Sequence, residues 1–129
     1  MKSRLVIKSE IGSIESVYNW VESFLTGKVS AKIVRDILLI TQEMVTNSIL
    51  HGNRQIVEKE IIIEITILLD TVVVTVTDEG EGIKKLPLEE EAKELDYLAE
   101  NGRGLKLAVL MTDKIELDGN RIKLIFFNR

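Results

Sequence analysis

The chain contains 129 residues, carries a formal net charge of −4 and has no cysteine. A hydrophobic share of 45% with 29% charged residues is typical of one folded, soluble domain. The acidic balance argues against nucleic acid or an anionic membrane as the main partner, and the lack of cysteine excludes a disulfide framework or a thiolate site. The sequence shows no N-terminal leader and no apolar run of the roughly 20 residues that span a membrane, so we expect one cytoplasmic domain over residues 1–129.

The first half of the sequence predicts a strand and two helices. Alternating apolar residues indicate a short strand over residues 4–8. Apolar residues then recur at the helical period until Gly27, which is expected to close the first helix. A second helical pattern begins after Ser30, a typical N-cap residue, and continues to about His51. Gly52-Asn53 is expected to end that helix, because such residues can adopt a positive φ angle.

The second half predicts two hairpins with helical segments between them. From Glu60 to Leu69 apolar and polar residues alternate, and a turn at residues 70–71 leads into a second alternating strand. An acidic helical pattern over residues 88–100 and a mostly buried helix from Leu105 precede a closing hairpin. The order β-α-α-β-β-α-β-β predicts an α/β (α+β) two-layer sandwich, in which helices cover one face of a mixed, largely antiparallel sheet.

Two polar side chains stand out on the second predicted helix. Glu43 and Asn47 are one helical turn apart, so they share one face of the helix, at the border of its apolar side. At such a border the buried face of the helix meets its solvent-exposed face. Taken alone, the pair fits a solvated helix edge better than a site, because charged residues on helices are mostly exposed.

A glycine-rich turn follows the second strand of the first hairpin. If that strand continues by one residue, Asp78 joins its core-facing row, where a carboxylate is costly unless it is hydrogen-bonded. The glycines of Asp78-x-Gly80-x-Gly82 also fit a plain surface turn. A calcium-binding EF-hand loop is excluded because Ile83 occupies the position of its glycine, and a dinucleotide fingerprint is excluded because Lys85 replaces the third glycine. The sequence contains no Walker-type phosphate loop.

A third segment places two glycines directly before a helix. Gly102, Arg103 and Gly104 precede the buried helical pattern. Glycine allows a ligand to approach the backbone closely, and free N–H groups at the start of a helix attract anions. A flexible hinge is the alternative interpretation, and the segment alone does not decide between the two.

In this order around a β-rich middle, the three segments resemble the nucleotide-binding domain of the GHKL ATPase superfamily. The stretch from Glu43 to Gly52, EMVTNSILHG, is similar to the first motif of one branch, the bacterial anti-sigma factor serine/threonine kinases. The resemblance covers nearly the whole chain. It implies a GHKL-type fold that binds ATP and Mg²⁺.

The resemblance also implies a role for each motif residue. Asn47 would bind Mg²⁺ through its side-chain oxygen, and Glu43 would be the general base toward a serine or threonine hydroxyl. Asp78 would accept a hydrogen bond from the adenine amino group, with Gly80 and Gly82 letting the backbone pass close to the base. The residues whose backbone N–H groups would contact the phosphates are Gly102, Arg103, Gly104 and Leu105, and the Arg103 guanidinium is a candidate for a charged phosphate contact.

The lid segment, His51, the lysine pair and the last hairpin have no catalytic role in this interpretation. The segment over residues 83–100 would be the lid that covers the nucleotide. His51 is expected to cap or pack rather than to accept phosphate, and Lys84 and Lys85 are expected to be solvated rather than bound to phosphate. The sequence departs from the family in its last hairpin, because residues 120–123 contain no threonine to help to bind the base.

The function that the resemblance implies is that of an anti-sigma factor with protein kinase activity. The protein would act as a homodimer, hold a sigma factor in one state, and phosphorylate a small anti-anti-sigma (STAS-type) partner on serine or threonine. The alternatives are a regulatory binding module that transfers no phosphate, and a free-standing histidine-kinase-like ATPase domain. Glu43 favours the kinase, because nucleotide binding alone needs no base at that position.

Overall fold

The computed structural model describes residues 1–94 and 103–128. Within them the elements follow the predicted order, while Gly102 and the second half of the predicted acidic helix lie outside the described residues. The helices and strands are β1 (Lys2–Lys8), α1 (Ile14–Leu25), α2 (Ala31–Asn47), β2 (Glu60–Ile67), β3 (Thr71–Thr77), α3 (Glu89–Ala92), α4 (Arg103–Met111), β4 (Lys114–Asp118) and β5 (Arg121–Phe127).

The strands form one sheet in the spatial order β1-β2-β3-β5-β4. In the part of the chain that the structure describes, every neighbouring pair of strands is antiparallel. On one face, α2 packs between α1 and α4 and against β3. On the other face, Glu64, Thr75 and Lys123 are neighbours across three strands. The predicted two-layer sandwich is confirmed, with a sheet that is antiparallel at each described pairing.

The alternation of the central strands places one row of each strand in the core. Ile61, Ile63 and Ile65 of β2 are fully buried, and Val72 and Val74 of β3 belong to the same core. Burying an aliphatic side chain of this kind contributes about 1.5–3 kcal/mol relative to leaving it exposed. These buried side chains therefore form the apolar surface of the sheet against which the helices pack.

The turn of the first hairpin lies one residue earlier than predicted. β2 ends at Ile67, and the Leu68 N–H donates to the Thr71 carbonyl at 2.8 Å. Leu69 and Asp70 are therefore the two residues of the turn. Leu69 is 99% exposed, and the prediction that it belongs to the alternating strand is wrong, because the chain has already left the sheet.

The predicted caps of the first two helices are confirmed. The Ser30 hydroxyl accepts a hydrogen bond from the Ile33 N–H at 3.3 Å at the start of α2. Gly27 follows α1 with a φ angle of +84°, a conformation that glycine adopts without steric cost. Among the described residues, none of the helices combines the length and the apolar character needed to cross a membrane.

The C-terminal end of α2 differs from the prediction. The helix continues into one π-helical turn, Ser48–Gly52, in which the Asn53 N–H donates to the Ser48 carbonyl at 2.7 Å. The helix ends at Gly52-Asn53 as predicted, but the predicted positive φ angle is wrong, because neither residue adopts one and Asn53 has a φ angle of −90°. Positive φ angles occur beyond it, at Arg54 (52°) and Gln55 (60°).

Replacing Thr41 by valine is expected to stabilise the fold by about 1 kcal/mol. Thr41 is fully buried in α2, and its hydroxyl has no hydrogen-bond partner among the described residues. Thr46→Val on the same helix is the matched control, because the Thr46 hydroxyl donates to the Gln42 carbonyl at 2.7 Å and this bond would be lost. Urea denaturation measures both free energies of unfolding. A Thr41→Val protein less stable than wild type would contradict the prediction.

Candidate functional site

A cleft of about 620 Å³ opens between the C-terminal end of α2 and the loop that follows β3. The start of α4 and the turn between β4 and β5 complete its wall. A cleft of this volume is typical of sites for small molecules and cofactors. The wall residues used below are Asn47, Gly52, Asp78, Leu105, Asn120 and Arg121.

Asp78 lies where β3 leaves the sheet. Its N–H donates to the Asn120 carbonyl at 3.2 Å, and the Asn120 side chain donates to the Asp78 carbonyl at 2.6 Å, so contact with the β4–β5 turn continues past the strand. The carboxylate oxygen Oδ1 accepts a hydrogen bond from the Gly80 N–H at 2.8 Å. The side chain is partly buried in the cleft wall. A carboxylate is thus fixed at the edge of the core, with acceptor capacity left for a ligand.

Glycines allow the loops around Asp78 to touch backbone to backbone. A Cβ atom on Gly52 would overlap the Asp78 carboxylate, and one on Gly80 would overlap the Gly52 carbonyl. Gly82 has a φ angle of +87°, and a Cβ there would overlap the Gly119 carbonyl. Gly80 and Gly82 are predicted site residues, whereas Gly52 was predicted to end the helix and to close the first motif, without a role in the site. Its position at the end of the motif helix is the sequence feature that could have indicated a role in the site.

Asn53 ties the cleft loops together and was not predicted. Its side chain is fully buried. The Asn53 amide donates to the Ser9 hydroxyl at 2.7 Å and to the Glu60 carbonyl at 3.1 Å, and its oxygen accepts from the Glu79 N–H at 2.7 Å. One carboxamide therefore joins the end of the π-helical turn to the residue after β1, to β2 and to the residue after Asp78.

Replacing Asn53 by alanine is expected to lower the free energy of unfolding by about 2–4 kcal/mol, because buried groups on three segments lose their partner at once. Asn19→Ala removes the same carboxamide from an exposed position on α1. That control should stay within about 0.5 kcal/mol of wild type. Chemical denaturation measures both proteins. Equal stability of the two variants would show that the Asn53 network does not hold the loops.

The start of α4 lies against the two polar residues of α2. A Cβ on Gly104 would be 3.1 Å from Asn47 Nδ2 and 3.1 Å from Glu43 Oε2. Arg103 Nη2 is 3.2 Å from Glu43 Oε1, although the two residues are 60 positions apart in sequence. The fold thus brings the first and third segments together. Of the described residues, Asn47 and Leu105 line the cleft, whereas Glu43, Arg103 and Gly104 are not part of its wall.

The last hairpin contributes Asn120, Arg121 and Ile122 to the cleft wall. The Arg121 Nε donates to the Thr77 hydroxyl at 3.2 Å, and these two residues are paired between β5 and β3. This hairpin, which lacks the threonine of the family, therefore presents an amide and a guanidinium next to Asp78.

The remaining candidates lie at the surface. Lys84 and Lys85 are exposed, and the Lys84 ammonium donates to the Glu81 carbonyl at 3.2 Å, which fits the solvated interpretation. His51 is exposed and lines the cleft. Within residues 1–94 and 103–128, there is no cluster of three or more His, Asp or Glu side chains that could hold a metal ion.

Comparison with known proteins agrees with the geometry. A family model described as the histidine kinase-like ATPase domain matches residues 7–126. The anti-sigma F factor of Clostridium perfringens (strain SM101) is 36% identical over 93 residues, which cover 68% of this chain and 64% of that protein. The anti-sigma F factor of Oceanobacillus iheyensis is 32% identical over 87 residues, which cover 64% of this chain and 58% of that protein.

The chain therefore spans less than two thirds of the length of these relatives, at 64% and 58%. The family model, by contrast, extends over nearly the whole chain, from residue 7 to residue 126. The resemblance to the GHKL superfamily drawn from the three segments is confirmed by this match. The chain belongs to the histidine kinase-like ATPase domain family.

Proposed function

We propose that this protein is an ATP-binding anti-sigma factor that acts as a serine/threonine protein kinase. One arrangement carries the proposal. Asp78 is fixed in the cleft wall by the loop after β3, while Asn47, with Glu43 one turn away, lies against Gly104 of α4. The three segments that resemble the GHKL motifs therefore surround one cleft.

The adenine base would bind at Asp78. Its carboxylate would accept a hydrogen bond from the exocyclic amino group, which compensates the cost of a partly buried acid. Gly52 and Gly80 carry no side chain that would keep the base away from this carboxylate. Arg121 takes the place of the family's threonine as the neighbouring donor on the hairpin, because it lines the cleft beside Thr77.

The phosphates would lie toward the start of α4. Helix N-termini attract anions, and Gly104 and Leu105 occupy the first turn of this helix together with Arg103. Asn47 fits a role as the protein ligand of Mg²⁺: it lines the cleft, and no hydrogen bond joins its side chain to another described residue. Mg²⁺ bound there would neutralise phosphate charge, and it takes few protein ligands beside phosphate and water.

Glu43 would be the general base. The hydroxyl oxygen of a serine or threonine attacks the γ-phosphorus, the bond to the β–γ bridging oxygen breaks, and ADP leaves. Glu43 accepts the proton of the attacking hydroxyl. Its place one helical turn from Asn47, on the same face of α2, supports this role.

The partners follow from the family branch and the names of the relatives. We propose that the protein binds a sigma factor in one state and phosphorylates an anti-anti-sigma protein of the STAS class. We also propose that it acts in the cytoplasm as a homodimer. Two relatives at 36% and 32% identity are anti-sigma F factors, which supports this choice of branch.

The experiment that tests the proposal is transfer of label from γ-labelled ATP to purified STAS-class proteins of the same organism. We expect one of them to acquire label, at a serine or threonine identified by mass spectrometry. If ATP binds but none of these proteins acquires label, the kinase assignment is wrong.

A second candidate function is a nucleotide-dependent binding module that transfers no phosphate. The observation that favours it is the Arg103–Glu43 ion pair, which occupies the carboxylate that the kinase needs. Sigma-factor binding that depends on ATP, without label transfer, would be the result expected of such a module.

A further inference from the structure

Glu43 is paired with Arg103. Arg103 Nη2 is 3.2 Å from Glu43 Oε1, and the backbone of Gly104 lies beside Glu43 Oε2. The Glu43 side chain is only 16% exposed, whereas the Arg103 side chain is 39% exposed. In this arrangement the guanidinium occupies one oxygen of the carboxylate, the group that would accept the proton of an incoming hydroxyl.

If the phosphates lie at the start of α4 as proposed, Arg103 has a second anion near it when ATP is bound. It directly precedes Gly104, which lies against Asn47, and both Asn47 and Leu105 border the cleft. A guanidinium has five N–H donors in a planar fork and binds phosphate in a bidentate manner. The terminal phosphate of ATP therefore competes with Glu43 for the same side chain.

We propose that Arg103 is an exchangeable gate on Glu43. It pairs with the carboxylate when the cleft holds no ATP, and it transfers to the terminal phosphate when ATP binds. This inference rests on the proposed function. Exchange frees Glu43 only when the phosphate to be transferred is in place, whereas ADP lacks that phosphate and leaves the ion pair closed.

The exchange makes a specific thermodynamic prediction. If ATP has to take Arg103 away from Glu43, then removing the Glu43 charge strengthens ATP binding. The same change has no such effect when Arg103 is absent, because there is no pair left to break. A general repulsion between Glu43 and phosphate would instead act equally in both backgrounds, so the double-mutant cycle separates the two explanations.

The test is calorimetric binding of ATP and of ADP, each with Mg²⁺, to wild type, Glu43→Gln, Arg103→Met and the double variant. We expect Arg103→Met to weaken ATP binding about tenfold and to leave ADP binding within about twofold. We expect Glu43→Gln to tighten ATP binding about threefold or more in the wild-type background and to change nothing in the Arg103→Met background.

Two further variants keep the result interpretable. Arg35→Met makes the same chemical change at an exposed position of α2, about two turns before Glu43, and should leave the ratio of ATP to ADP affinity unchanged. Arg103→Lys keeps the positive charge without the bidentate fork and should bind ATP with intermediate affinity. Thermal melts of all variants test whether each is folded.

The outcomes distinguish failure of the Arg103 gate from failure of the proposed ATP-binding function. Failure of wild type to bind either nucleotide would overturn both. Nucleotide binding with additive effects of Glu43→Gln and Arg103→Met would overturn the gate alone. Equal weakening of ATP and ADP binding by Arg103→Met would also overturn it, because the gate requires a contact with the terminal phosphate.

Discussion

Replacing Gly52 by alanine is expected to weaken ATP binding by at least about tenfold, with a much smaller change in stability. The added Cβ would overlap the Asp78 carboxylate, so that carboxylate must turn away from its place beside the Gly80 N–H. The end of an aspartate side chain moves easily, which limits the cost to the fold. The adenine amino group, however, loses its acceptor. Calorimetric titration with ATP measures the effect.

Gly12→Ala is the matched control for this substitution. Nothing lies within 4 Å of a Cβ built on Gly12, and the residue is exposed. We expect this protein to bind ATP as wild type does. If Gly52→Ala also binds with wild-type affinity, then Asp78 does not contact the base in the way we propose.

Replacing Glu43 by glutamine is expected to reduce transfer of label to the STAS-class substrate by about 10²–10⁴-fold. Glutamine keeps the shape of the side chain but does not accept the hydroxyl proton. ATP should still bind at least as tightly as to wild type, because the base and Asn47 contacts are untouched. The rate of label transfer at saturating ATP is the quantity to measure.

Asp36→Asn supplies the control for that experiment. Asp36 is an acid on the same helix, paired with Lys32 at 2.8 Å. Removing its charge should leave the transfer rate unchanged, since Asp36 lies about two helical turns before Glu43 and does not line the cleft. Full activity in Glu43→Gln would remove Glu43 from the catalytic role, and loss of ATP binding in that variant would assign it to the binding of nucleotide instead.

The elements that depend on local pattern were predictable from the sequence. The cap at Ser30 and the alternation that buries Ile61, Ile63 and Ile65 follow from spacings within a few residues, and the structure confirms them. The same alternation gave no reason to end β2 at Ile67, because the turn is fixed by the hydrogen bonds of the hairpin rather than by hydrophobicity.

The site was predictable in part. Each of its three segments was ambiguous alone, and they were identified as a candidate site because together, in this order, they resemble the GHKL superfamily. Gly52 and Asn53 were missed because their roles depend on contacts with distant strands and loops. The buried Asn53 amide reaches Ser9, a residue 44 positions away. The Arg103–Glu43 pair depends in the same way on how α4 packs against α2.

The central claim is that the cleft binds ATP with its base at Asp78. The most direct test is calorimetric titration of Mg²⁺ and ATP into wild type, Asp78→Asn and, as a control at the distant hairpin turn, Asp70→Asn. We expect wild type and Asp70→Asn to bind alike, and Asp78→Asn to lose at least about a factor of ten in affinity. Absence of binding to wild type at saturating ATP, or undiminished binding to Asp78→Asn, would contradict the account.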